Sequence, residues 1–123
     1  MIRKIDHLVI TTADMNQCIA FYEKLGFHAK QTNGRYELFA GDFKINVHFL
    51  GKELSPHAAH VQIGSTDLCF EIGGDIDCFK RELEAQGIVL ETDILEKNGV
   101  RGKMKSIYLR DADGNLLEFC SYE

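Results

Sequence analysis

Four residues that could bind a divalent metal ion stand at matching places in two similar stretches of the chain. His7 corresponds to Asp67, and His48 corresponds to Glu118. The matching stretches are 5–10 with 65–70, and 44–49 with 114–119. Imidazole and carboxylate groups in this combination suit Zn, Ni, Co, Mn or Fe(II). The repeat therefore predicts a metal site formed by His7, His48 and Glu118, with Asp67 as a candidate fourth ligand.

Asp67 has a second interpretation in this pattern. Its carboxylate could accept a hydrogen bond from a metal-bound histidine and hold the tautomer of that ring without touching the metal. It could also cap a helix. The sequence alone leaves these roles open.

Each half of the chain carries the same order of predicted elements, βαβββ. Helices are predicted over 14–25 and 75–86, because each begins at an aspartate suited to an N-cap and ends at a glycine. Strands are predicted at 5–11, 27–32, 36–39 and 45–50, and again at 67–72, 88–95, 105–110 and 116–121. Asn33-Gly34 predicts a hairpin turn, and 96–102 is predicted to be a loop. The order indicates an α+β fold in which two βαβββ modules form a curved mixed sheet.

The alternation of side chains along each predicted strand separates an apolar face from a polar face. The apolar face should pack under the two helices. The polar face carries the candidate ligands and five further side chains that could bind a substrate: Lys44, Asn46, Ser106, Tyr108 and Arg110. Their cationic and hydrogen-bonding groups could receive a carboxylate, enediolate or phosphonate. A polar sheet face can also be simply solvated, but the matching imidazoles and carboxylates favour a lined cavity.

Length and composition narrow the class of protein. The 123 residues fit one domain, with a first module at about 1–50, a linker at 51–65 and a second module at about 66–123. The net charge of -5 argues against nucleic-acid binding. No apolar run approaches the ~20 residues of a membrane span, and no signal-peptide pattern is seen at the N-terminus. Four cysteines without Cys-x-x-Cys spacing indicate reduced thiols in a cytoplasmic protein.

Several motifs in these modules resemble the vicinal oxygen chelate superfamily. This group includes glyoxalase I, extradiol dioxygenases, fosfomycin-resistance enzymes and bleomycin-resistance proteins. The motifs are Asp-His-Leu-Val-Ile around His7 and Asp-Ala-Asp-Gly-Asn-Leu-Leu-Glu ending at Glu118. Lys-Ile-Asn-Val-His ending at His48, the linker 53–60 and the segment 104–111 are similar to small proteins like glyoxalase domain-containing protein 5 and its bacterial relatives. The resemblance covers essentially the whole chain.

The resemblance implies how such a site would work. Each module would curl into a half-barrel around a divalent metal that leaves two positions for adjacent substrate oxygens. Glu118 would then also be catalytic, since a metal-bound carboxylate of this group can shuttle a substrate proton. Asp67 stands where glyoxalase I and the dioxygenases generally have histidine, and His48 replaces a carboxylate common in glyoxalase I. Relatives pair their modules within or between chains, so a homodimer is expected.

The residues and the resemblance together predict a divalent-metal-dependent, glyoxalase-like lyase or isomerase that acts on a small molecule. Two other functions remain open. A bleomycin-resistance type of protein would sequester an antibiotic in the same fold without a metal. A metal-dependent transferase would add a thiol or water to a phosphonate antibiotic. Extradiol ring cleavage is disfavoured by the aspartate at position 67.

Overall fold

The computed structural model describes residues 1–122, which divide into two compact units, Met1–Gly64 and a second that begins at Ser65. The first contains β1 (His7–Thr12), α1 (Met15–Lys24), β2 (His28–Thr32), β3 (Arg35–Ala40) and β4 (Phe43–Phe49). The second contains β5 (Asp67–Glu71), α2 (Ile76–Ala85), β6 (Leu95–Gly99), β7 (Gly102–Arg110) and β8 (Leu116–Tyr122). The predicted order βαβββ is therefore confirmed in both halves. The boundary between the units falls at the end of the predicted linker.

Each unit builds its own four-stranded mixed sheet with the same strand order. The orders are β1-β4-β3-β2 and β5-β8-β7-β6. In both sheets the first strand runs parallel to the last strand of its unit, while the other neighbours are antiparallel. A parallel pair needs a crossover connection, and here the helix together with the two intervening strands supplies it. The topology therefore places the first and last strands of each unit, which hold the candidate ligands, side by side.

The two helices begin and end close to the predicted residues. The side chain of Asp14 accepts a hydrogen bond from the backbone N–H of Gln17 at 3.1 Å, and Asp75 caps α2 in the same way through the N–H of Asp77 at 3.4 Å. Gly26 follows α1 with a φ of 106°, a conformation that glycine adopts without steric cost. No helix over residues 1–122 has both the length and the apolar character required to cross a bilayer.

The apolar face of each sheet forms a core with its helix, as the alternation predicts. In the first unit Ile45 and Leu38 are fully buried alongside Tyr22 of α1. In the second unit Ile107, Leu109 and Leu117 are fully buried with the helix residue Leu83: each has an exposed fraction of 0–1 %. These strands therefore have one side fixed by packing. Their opposite side is free to carry polar groups.

The second strand of the second unit, predicted at 88–95, differs from the prediction. Residues 88–94 do not form a strand: Leu90 makes a single isolated bridge to Leu109, and Val89 is 84 % exposed. The strand lies further on, at Leu95–Gly99, in the segment predicted to be a loop. Its sequence Leu-Glu-Lys-Asn-Gly has almost no apolar alternation because β6 is an edge strand with four of its five residues exposed. Backbone pairing with β7 holds β6 in place, and the strand propensities of the residues in β6 do not predict that pairing.

A buried side-chain network fixes the start of both strands that carry acidic candidate ligands. Asn115 donates its amide N–H to the Oδ2 of Asp111 at 2.8 Å, and its Oδ1 accepts from the backbone N–H of Thr66 at 2.9 Å. The backbone N–H of Asn115 also donates to the Oδ1 of Asp111 at 2.9 Å. Thr66 directly precedes β5 and Asn115 directly precedes β8. This network therefore sets the register in which Asp67 and Glu118 are presented.

Replacing Asn115 by alanine should lower the free energy of unfolding by about 2–4 kcal/mol, because it removes both hydrogen bonds of a buried side-chain amide, one to Asp111 and one from Thr66. Urea denaturation followed by circular dichroism measures the change. Asn98→Ala on the exposed edge strand β6 is the matched control and should change stability by less than about 0.5 kcal/mol. Equal unfolding midpoints for the two variants would contradict this role for Asn115.

Candidate functional site

His7 and Asp67 occupy equivalent positions, as the sequence repeat predicts. Each is the first residue of the first strand of its unit. Each also lies beside the corresponding place on the last strand, since His7 pairs with Lys44 and Asp67 pairs with Leu116. The structural correspondence of these two candidate ligands is thus confirmed.

The correspondence of His48 with Glu118 is wrong by two residues. Glu118 pairs with Cys69, two residues beyond Asp67. The residue that pairs two positions beyond His7 is Asn46, whereas His48 pairs with Thr11, four positions beyond His7. Side chains of a strand repeat their direction every two residues, so a shift of two preserves every face assignment. The structural counterpart of Glu118 is Asn46.

The same register separates His7 from His48 within the first unit. Four residues of strand correspond to about 13 Å, because each residue advances about 3.3 Å. Two imidazoles on one metal ion each place a nitrogen about 2.0–2.1 Å from it, and strand side chains stand roughly perpendicular to the sheet. His7 and His48 of one unit are therefore too far apart to share an ion. A ligand role for His48 stays a prediction that does not rest on pairing with His7.

The equivalent positions on β4 and β8 share an unusual property. The Oδ1 of Asn46 and the Oε2 of Glu118 are both buried, and neither has a hydrogen-bond partner within residues 1–122. Buried acceptors are nearly always paired in folded proteins, since an unpaired one costs about 1–3 kcal/mol. Such an atom calls for a cation or for a donor supplied by a ligand. Two modules that carry it at the same strand position point to a binding function for that position.

Glu118 lies between two side chains of the neighbouring strands. Tyr108 of β7 and Cys69 of β5 are its direct cross-strand partners. Burial and the Glu118 carboxylate raise the pKa of Tyr108 to about 12, so its hydroxyl remains a proton donor throughout the neutral range. Burial, the neighbouring Cys120 and the charge of Glu118 raise the pKa of Cys69. The thiol is therefore poorly suited to act as a nucleophile.

The other predicted substrate residues fall into two groups. Ser106 is fully buried, and its Oγ has no hydrogen-bond partner in the part of the chain that the structure describes. Lys44 forms an ion pair with Glu37. Arg110 lies 3.4 Å from a carboxylate oxygen of Glu91 and donates to the carbonyl oxygen of Gly114 at 3.3 Å. The two cations expected to bind substrate are thus already engaged within their own units.

His7 is oriented by its neighbour in the chain. Its Nδ1 lies 2.8 Å from the Oδ1 of Asp6, and the hydrogen bond to His7 lowers the pKa of Asp6. An ionised carboxylate can only accept, so the Nδ1 of His7 donates. In a neutral imidazole this leaves the lone pair on Nε2, the arrangement found in metal-bound histidines that are held by a carboxylate.

A pocket of about 180 Å³ opens on the polar face of the first unit. Its lining comes from the β2–β3 hairpin and from β4, namely Thr32, Asn33, Arg35, Tyr36, Glu37, Lys44, Asn46, Val47 and His48. Arg35 and Tyr36 were not predicted as site residues. The signal that could have found them is the Asn33-Gly34 turn, because both residues have positive φ and the turn folds Arg35 back toward β4.

Over residues 1–122, no three or more His, Cys, Asp or Glu side chains are grouped so that they could hold a metal ion. His7 and Asn46 belong to the first unit, and Asp67 and Glu118 to the second. Within each unit the candidate positions therefore form a pair, a first-strand residue and a last-strand residue two positions further along.

Comparison with known proteins identifies the group to which these modules are related. The profile of the Glyoxalase/Bleomycin resistance protein/Dioxygenase superfamily matches residues 4–119. The chain is 43% identical over 123 residues to the glyoxalase domain-containing protein RDO1 of Mycosarcoma maydis, covering 99% of this chain and 70% of that protein. It is 30% identical over 123 residues to the metallothiol transferase FosB of Shouchella clausii, covering 96% of this chain and 80% of the transferase.

A solved structure supports the same relationship. The chain is 40% identical over 124 residues to the virulence protein STM3117 of Salmonella typhimurium, covering 99% of this chain and 86% of that protein. The crystal structure of that protein superposes with a TM-score of 0.97 and covers 100% of this chain and 99% of the other. The predicted resemblance and fold class are confirmed by these matches.

Glu118→Gln should speed the alkylation of Cys69 severalfold in chelator-treated protein. Removing the carboxylate charge lowers the pKa of Cys69, which increases the thiolate fraction that reacts. The pKa should stay above that of a free thiol, since burial is the larger cause of its elevation. A time course with iodoacetamide, read by peptide mass spectrometry, measures the rate, and Glu96→Gln on β6 serves as control. An unchanged rate in Glu118→Gln would show that the carboxylate does not act on this thiol.

Proposed function

Because the chain belongs to the Glyoxalase/Bleomycin resistance protein/Dioxygenase superfamily, we propose that it is a divalent-metal-dependent, glyoxalase-like lyase or isomerase. Its substrate would be a small molecule with two adjacent oxygens. Residues 1–123 would act as one domain, in a cytoplasmic homodimer. Members of this superfamily often use divalent metals. The observation that carries the proposal is the buried and unpaired Oε2 of Glu118.

The residues present fit a divalent cation in their chemistry. An unpaired carboxylate oxygen in a buried position is stabilised by a cation more than by any neutral donor. His7 offers an Nε2 lone pair because its Nδ1 is held by Asp6. Asp67 stands at the place that corresponds to His7 and adds a second carboxylate. We therefore propose His7, Glu118 and Asp67 as ligands, with His48 kept as the sequence-based alternative.

A bound divalent ion would supply Lewis-acid stabilisation of negative charge on two adjacent substrate oxygens. The chain's own residues would handle the proton. The Glu118 carboxylate, once released from the ion, would take a proton from the substrate carbon and return it to the neighbouring carbon. Tyr108, whose elevated pKa keeps its hydroxyl protonated, would hold the carboxylate in place during both transfers. Cys69 would remain a small uncharged group beside it.

Glu118→Ala should lower the affinity for the activating metal at least ten-fold and reduce turnover with it, because it removes the buried Oε2 on which the assignment rests. Metal content by mass spectrometry, followed by add-back of Zn, Ni, Co, Mn and Fe(II) with thermal-shift detection, measures this. Glu96→Ala is the control, and circular dichroism confirms that the fold is intact. A folded Glu118→Ala variant that binds metal like the parent would overturn the assignment.

His48→Ala distinguishes the two proposed ligand sets. The strand register predicts that this variant keeps its metal, whereas His7→Ala loses most of it, because only His7 has the position that corresponds to Asp67. Metal content of the two variants, measured in parallel with the parent protein, decides the question. Loss of metal in both His48→Ala and His7→Ala would restore the sequence-based set at the expense of the register argument.

The similarity to a metallothiol transferase favours one second candidate function. A transferase would add a thiol to an electrophilic carbon of a phosphonate antibiotic and would use the same metal ligands. The two reactions are separable by assay. A glyoxalase-like enzyme isomerises the hemithioacetal of a 2-oxoaldehyde to a 2-hydroxy thioester, whereas the transferase forms a thioether and only when an epoxide-bearing phosphonate is present.

A further inference from the structure

The pocket of the first unit has a chemical character distinct from that of the Glu118 position. Two rows of paired residues on one face of β3 and β4 form the polar wall of the pocket. In the first row, Glu37 of β3 pairs with Asn46 of β4; the following pair, Tyr36 with Val47, points to the opposite face. The next positions on the two strands, Arg35 and His48, continue the register and project from the same side as Glu37 and Asn46. The wall thus contains two rows about 7 Å apart.

Over residues 1–122, the charges in these rows leave one cation without a salt bridge. Glu37 forms an ion pair with Lys44, and the charges of Lys44 and Arg35 both lower the pKa of Glu37. Burial and the positive charge of Arg35 lower the pKa of His48, so the imidazole is neutral at pH 7. Arg35 forms no salt bridge with a carboxylate among residues 1–122. The pocket therefore presents one guanidinium whose charge is not compensated by a direct partner.

The pocket also presents one acceptor that needs a donor. The Oδ1 of Asn46 is buried without a hydrogen-bond partner in the described chain. A ligand that satisfies both groups carries an anion for Arg35 and, close to it, a hydroxyl or N–H for Asn46. Arg35 matches a carboxylate particularly well, because its planar fork binds both oxygens.

The volume of the pocket limits the size of what enters it. A space of about 180 Å³ corresponds to roughly six water molecules at ~30 Å³ each. This accommodates a carboxylate with one or two further carbons. It is smaller than the ~300–1,000 Å³ of a site that encloses a drug-sized ligand.

We infer that this pocket binds the end of a substrate that carries a carboxylate and a hydroxyl on adjacent carbons. Arg35 holds the carboxylate, and the Oδ1 of Asn46 accepts a hydrogen bond from the hydroxyl. The neutral ring of His48 closes the site beside Arg35 without adding a second charge. The inference rests on the proposed function only in treating this ligand as part of the substrate.

Binding is measured on the chelator-treated full chain, so that it is independent of any metal. Lactate and glycolate at millimolar concentrations are titrated into ¹⁵N-labelled protein, with propionate lacking the hydroxyl and lactamide lacking the charge. We expect both hydroxy acids to shift the amide signals of Arg35 and His48 and the side-chain amide of Asn46. Propionate should bind more weakly, and lactamide should not bind.

Matched variants assign the contacts. Arg35→Gln should weaken lactate binding at least ten-fold, Arg35→Lys less so because it keeps the charge without the fork, and Arg3→Gln should leave binding unchanged. Asn46→Ala should remove the preference for lactate over propionate. No signal shift with either hydroxy acid, equal binding by lactamide, or unchanged affinity in folded Arg35→Gln would overturn the inference. Lactate binding in a protein that takes up no metal would instead support this pocket and refute the proposed function.

Discussion

The parallel pairing between the first and last strands of each unit is the constraint on which every feature of the candidate site depends. A hairpin cannot join two parallel strands. The crossover through the helix and two further strands is therefore what brings β1 beside β4 and β5 beside β8. Packing holds one face of these strands through residues such as Ile45 and Leu117, which are fully buried. The other face is then free to carry acceptors without loss of the core. A chain that placed polar groups on both faces could not sustain this arrangement.

Most of the fold was predictable because its signals are local. The Asp14 and Asp75 caps, the Asn33-Gly34 turn and the alternation of apolar residues each determine a structure within a few positions in the chain. The edge strand β6 is not predicted because its sequence lacks the alternation of apolar residues that marks a half-buried strand. Its stability comes from backbone bonds to β7 and from contacts such as the ammonium of Lys97, 5.8 Å from the centre of the Tyr108 ring. Pairing of that kind is a property of the partner strand and is invisible in the segment itself.

The candidate site was predictable in its residue types and faces but not in its register. His7 and Asp67 were matched correctly because each begins a strand with a clear apolar pattern. His48 was matched to Glu118 because a shift of two residues leaves the in–out pattern of a strand intact, and Phe49 and Phe119 look alike in sequence. The strand pairing breaks this ambiguity and replaces His48 by Asn46. Arg35 is not predicted as a site residue for a related reason. Its place in the pocket depends on the pairing of β3 with β4, and no sequence motif contains it.

The exchange of a carboxylate for an amide between equivalent positions gives the two modules different chemistry. Glu118 and Asn46 share a place in the sheet and an unpaired buried oxygen. A carboxylate carries a full charge there and is stabilised most by a cation, whereas an amide oxygen is uncharged and is satisfied by a simple donor. The surroundings agree with this division, because Asn46 has the cation Arg35 within its own pocket while Glu118 is flanked by the uncharged Tyr108 and Cys69. The guanidinium of Arg35 gives the pocket that contains Asn46 a positive charge that attracts an anion. Duplication thus supplied two copies of one strand position, and a single change of side chain is enough to direct one copy toward a cation and the other toward an anionic ligand.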